Sequence, residues 1–131
     1  MPTASQHHKK AEINRRFLAT ISIDDFPDWV VVVAFYTAVH LVEELRAASG
    51  EGDSTDHEDR LAYIQHKHPT IHTAYHILQN ASMLARYASN AAFFAQFQRE
   101  VIVERIIGQC LVEVERYVYS RDHALPRNPP S

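Results

Sequence analysis

The chain has 131 residues, 15.0 kDa, enough for one domain with its own core and too little for two. Thirteen Lys and Arg against sixteen Asp and Glu give a formal charge of -3, which excludes a histone-like or ribosomal composition. Three glycines, none in a phosphate-loop pattern, exclude Rossmann and P-loop sites, and the single Cys110 excludes an intramolecular disulfide or a thiolate-rich zinc site. The polar start with His7, His8, Lys9 and Lys10 does not resemble a signal peptide. The longest apolar stretch, Trp29 to Val42, carries Tyr36, Thr37 and His40 and is too short to span a bilayer. A cytoplasmic protein with no membrane partner is expected.

In chain order, the pattern predicts an all-α, up-and-down bundle of about four or five helices. Ile13, Phe17 and Ile21 recur at helical spacing in a first helix over 5–22. Pro27, tolerated in a first turn, opens a second helix to Ala48. Its Val30–Val33 run is β-prone, but no alternation or turn supports a strand. Ser49 to Asp56 reads as a loop, followed by a short third helix from Thr55-Asp56-His57-Glu58, which has capping-box spacing. Pro69 separates that helix from a fourth over 70–87. Ser89-Asn90 caps a long last helix over 91–121, in which Val103, Ile107, Leu111, Val114 and Val118 form a stripe and Gly108 allows close helix contact. At 1.5 Å per residue that helix would be about 45 Å long. One domain over 1–121 and a disordered, proline-bearing tail over 122–131 follow. The apolar character of 29–42, with Phe93, Phe94 and Phe97, exceeds what one small bundle needs and predicts a homodimer.

Nine histidines are the unusual feature of the composition. His72 and His76 at i, i+4 share a helix face and, with His40, could hold a metal. No Glu-x-x-His pair accompanies them, and a partly solvated polar face explains them better, so no metal and no cofactor are expected. Arg60 and His66 suit metal-free RNA cleavage: the imidazole moves a proton near neutral pH and the guanidinium holds the scissile phosphate. On a straight helix six positions set them about 120° apart, so they meet only by helix distortion or across two copies. His57, one turn before Arg60, needs no distortion and is the alternative acid/base group. Tyr36, His40, Arg86 and Tyr87 complete a polar constellation suited to a core network or a phosphate-binding cleft.

The segment Phe35-Tyr36-Thr37-Ala38-Val39-His40-Leu41-Val42-Glu43-Glu44-Leu45 resembles the first long helix of HEPN domains. These are small α-helical domains of prokaryotic toxin and antiviral defence systems. Asp56-His57 and Ala85-Arg86-Tyr87 continue the likeness, which covers Asp28 to about Ser89, near half the chain. The resemblance implies a dimerising helical bundle that acts as a metal-independent endoribonuclease. Alternatively, it implies a non-catalytic module that binds a nucleotide, RNA or a protein partner such as a nucleotidyltransferase. Arg60 and His66 meet the spacing of HEPN ribonucleases, but Leu61 stands where those enzymes carry a polar residue, and the pair lies early in the chain.

Overall fold

A computed structural model describes residues 2–121; the tail expected over 122–131 lies outside the described residues. The described residues form six helices and no strand: α1 (Ala4–Thr20), α2 (Pro27–Ala48), α3 (His57–Lys67), α4 (His72–Tyr87), α5 (Asn90–Gln96) and α6. The last, α6, begins as a π-helix (Val101–Leu111) and continues as an α-helix (Val112–Arg121). None of these helices is long and apolar enough to cross a membrane.

α2 is the centre of the bundle. Pro27 starts it without a side-chain cap, and Asp28 and Arg46 complement the dipole at its two ends. Its valines are helical and buried, because α1, α4 and α6 cover them from several sides. That packing overrides their β propensity. It also absorbs most of the apolar surplus from which a dimer was expected; at this end of the chain Phe26 and Trp29 stay exposed. Phe93 is likewise in the core, with Phe97 stacked on it.

α1 runs antiparallel to α2, so its N-terminal His7 and His8 meet His40 and Glu44 near the far end of α2. α6 returns along α1, with Arg15 Nε donating to Glu115 3.1 Å away and His8 edge-on to Tyr119. Asp56 caps α3 by accepting from the Asp59 N–H at 2.7 Å, one position later than the Thr55 start suggested by the capping-box spacing. A 3-10 turn, Pro69–Ile71, separates α3 from α4.

The single long helix expected over 91–121 is instead two. Ser89 caps α5 through the Ala92 N–H, α5 ends at Gln96, and α6 starts at Val101. The π turn, closed by i→i+5 bonds, changes which residues face inward. Ile102, Ile106 and Leu111 are buried, whereas Val103 is exposed and Ile107 half-buried. Gly108 serves this winding: a Cβ there would sit 3.0 Å from the Val103 carbonyl oxygen of its own helix. The close approach is therefore within α6, not between helices.

Candidate functional site

Polar side chains converge around the second half of α2. His40, Glu43 and Glu44 lie at i, i+3 and i+4 and so share one face. His57 and Arg60 form the same kind of pair on α3, and α4 adds Tyr75 and Arg86.

Arg60 is the hub. It is buried, its Nε donates to Glu43 Oε1 at 2.7 Å, and its Nη1 reaches His57 Nδ1 at 2.8 Å and the Tyr75 hydroxyl at 3.4 Å. Burial opposes its charge, but Tyr75 and Glu43 more than offset this and hold the guanidinium protonated. Glu43 is fixed from its other side by the Ser54 N–H, 3.2 Å from Oε2, which ties the loop before α3 to α2. Burial pushes the Tyr75 phenol up to about 12.

A guanidinium only donates, so Nδ1 of His57 is the acceptor and its proton is on Nε2. Burial, with Arg60 and Arg86 nearby, lowers the His57 pKa; Asp56 opposes this weakly. His57 is thus a neutral ring whose lone pair is already engaged, packed against Phe35 and Tyr36.

Arg86 sits between two tyrosines. Its Nη1 donates to the Tyr36 hydroxyl at 3.2 Å, and its guanidinium lies 5.7 Å from the Tyr36 ring centroid and 5.0 Å from that of Tyr87. Tyr87 is 76% exposed, so one aromatic face of this stack is open to solvent.

His40 contacts His7, Nδ1 to Nδ1 at 3.1 Å, and His7 Nε2 lies 3.1 Å from Asp53 Oδ1. Burial, then His7, Lys10 and Arg60, lowers the His40 pKa to about 4, with Glu43 acting the other way. His8 bridges Glu44 at 2.9 Å and Glu12 at 2.8 Å.

Of the residues singled out in the sequence, the structure brings together Arg60 with His57 and Tyr36 with Arg86 and Tyr87. It does not bring Arg60 to His66. Arg60 turns inward onto Glu43, while His66 is exposed near the end of the same helix. The rings of His72 and His76 do meet, tilted at 35° with centroids 5.8 Å apart at the start of α4, but His40 is engaged with His7. Sequence reasoning missed Glu43, Tyr75, Asp53, His7 and Ser54 as members of this network. Only the i, i+3 spacing of His40 and Glu43 was a local signal for any of them. No family model, no curated protein and no solved structure matches this chain.

Proposed function

We propose that this chain is a HEPN-like helical module that binds RNA or a nucleotide through the face formed by Tyr36, His57, Arg86 and Tyr87, without cleaving it. The observation that carries this is the Arg86 stack: a permanent cation held over Tyr36 and against the exposed ring of Tyr87. A cation offers charge to a phosphate, and an open tyrosine face offers a stacking surface to a base. His57 adds an Nε2–H donor beside it. The state of Arg60 and His57 supports binding over cleavage. Arg60 commits its Nε to Glu43 and its Nη1 to His57 and Tyr75, and His57 has no free lone pair with which to accept a proton.

The experiment is fluorescence anisotropy with a labelled single-stranded oligoribonucleotide, and with labelled ATP, against wild type, Arg86→Ala and Tyr87→Ala. Saturable binding that both variants weaken supports the reading. Equal binding by all three, or none, overturns it.

Metal-independent RNA cleavage is the second reading, and the contact of Arg60 with His57 favours it in one respect: the two side chains are already adjacent. Cleavage in EDTA that His57→Ala abolishes would establish it in place of the first. Both readings suit the cytoplasmic toxin or defence setting that the resemblance implies. Both also accommodate a second copy of the chain, seated over the exposed Phe26 and Trp29, or a nucleotidyltransferase partner. A monomeric mass by light scattering at micromolar concentration would remove the homodimer.

A further inference from the structure

Three elements bring ligand-bearing side chains to one point. His7 comes from α1, Glu43 from α2, and Asp53 from the loop between α2 and α3. One ligand atom from each lies within 4.8 Å of the other two. His7 and Glu43 are both more than nine-tenths buried, and Asp53 is partly exposed.

Two carboxylates lie side by side at the edge of the core, and Arg60 neutralises Glu43 from the side of α3. On the opposite side a His7 Nε2–H donates to Asp53 Oδ1 at 3.1 Å, a contact whose proton a metal ion would replace. Each carboxylate oxygen has two lone pairs, so the bonds that Glu43 accepts from Arg60 and the Ser54 N–H leave capacity for a further ligand bond. Those bonds hold its carboxylate in one orientation, as outer partners do at metal centres.

We propose that His7, Glu43 and Asp53 form a binding site for a divalent transition-metal ion of the zinc type, with His40 as the outer partner of His7. One imidazole nitrogen and two carboxylate oxygens suit such an ion, whereas magnesium and calcium take oxygen ligands. Three protein ligands leave a fourth position for water, as in open zinc sites. Ligand bonds of about 2.0–2.2 Å to a shared tetrahedral centre require donor atoms about 3.4 Å apart, so small side-chain adjustments within a set already inside 4.8 Å complete it. His40 supplies the outer shell: with His7 Nε2 on the metal, His7 Nδ1–H donates to His40 Nδ1, 3.1 Å away, which fixes the His7 tautomer. The site stands independently of the RNA- or nucleotide-binding reading and uses none of its residues.

The test titrates Zn2+ into the full chain after EDTA treatment and dialysis, read by calorimetry and by thermal melting. Wild type is expected to take up one equivalent and to melt at higher temperature with the ion, while Mg2+ has no effect. His7→Gln and Asp53→Asn are each expected to weaken Zn2+ binding more than tenfold, since loss of even an outer partner typically costs about 10–100-fold. His72→Gln/His76→Gln is expected to bind as wild type, which separates this site from the His72–His76 pair on α4. Asp53 is in a loop, so Asp53→Asn decides the matter if His7→Gln fails to fold. No saturable Zn2+ binding, unchanged affinity in Asp53→Asn, or loss in the His72/His76 variant overturns the proposal.

Discussion

The Nη1 of Arg60 donates to Nδ1 of His57 across 2.8 Å, one turn apart on α3. This contact assigns the imidazole a tautomer and a charge state. His57 is expected in the Nε2–H form at neutral pH, because the only role Nδ1 can take opposite a guanidinium is acceptor. Its pKa is expected below 6.5, with burial as the main cause and Arg60 and Arg86 adding to it. Long-range nitrogen–proton NMR of the ring measures both. Arg86→Ala should move the titration upward. An Nδ1–H tautomer, or a midpoint at or above the ordinary value, would contradict the assignment.

Arg60 and Glu43 form a buried ion pair, 2.7 Å apart, and losing one partner strands the other. Arg60→Ala is therefore expected to destabilise the fold by about 3–5 kcal/mol, and Glu43→Gln by a comparable amount. The double variant Arg60→Ala/Glu43→Gln should cost less than the sum of the two, because no charge is then left uncompensated. Urea unfolding of the four proteins supplies the cycle. Additive losses would mean that the two side chains do not act as a pair. Lost RNA cleavage in Arg60→Ala would therefore not by itself identify a catalytic residue.

The helices were legible where periodicity, caps and prolines agree, as at Pro27, Asp56, Pro69 and Ser89. The break between α5 and α6 was not. Residues 97–100, Phe-Gln-Arg-Glu, contain no Gly or Pro, so local propensity gives no reason to stop. The π winding was equally hidden, since a stripe counted at the α spacing selects Val103 and Ile107 rather than Ile102 and Ile106. At the site, pairs within one helix, such as His57 with Arg60, were readable from spacing. Pairs across helices, such as Arg60 with Glu43 and His7 with His40, depend on packing register, which a single sequence does not encode locally. The spacing of Arg60 and His66 drew attention to the right arginine and away from its actual neighbours.

Tyr87 is the residue on which the binding reading is most exposed to test. Its ring is largely in solvent and packs against the Arg86 guanidinium. Tyr87→Ala is therefore expected to leave stability within about 0.5 kcal/mol of wild type. If a base stacks there, the same change should weaken oligoribonucleotide binding by about 1–3 kcal/mol, the range for one base–aromatic stack. Anisotropy and urea unfolding on the same preparations separate the two effects. A Tyr87→Ala protein that binds as wild type would remove the stacking surface from the proposal.

Stability should also fall on mild acidification. His40, His57 and His68 all have pKa values lowered from 6.5, His40 to about 4, chiefly by burial and then by neighbouring groups: His7, Lys10 and Arg60 for the first, Arg60 and Arg86 for the second and Arg121 for the third. His68 Nε2 lies 3.2 Å from the Tyr63 hydroxyl and Nδ1 2.7 Å from that of Tyr117, so the neutral ring links α3 to α6. An unfolded chain takes up these protons near 6.5, whereas the folded chain takes them up only at lower pH. Between the two values the unfolded state holds more protons, so stability is fully present above the unfolded pKa and is lost as pH falls through the folded one. Glu115, whose carboxyl is raised by burial against the pull of Arg15, acts in the opposite sense nearer the carboxylate range. Measurements between about pH 7.5 and 5.5 therefore isolate the imidazoles from most carboxylate titration. The urea midpoint is expected to fall across that window, and His68→Gln, which keeps polar atoms beside the two hydroxyls, should flatten the fall. A midpoint that rises towards pH 5.5, or a slope that His68→Gln leaves intact, would show that these rings are not held neutral by the fold.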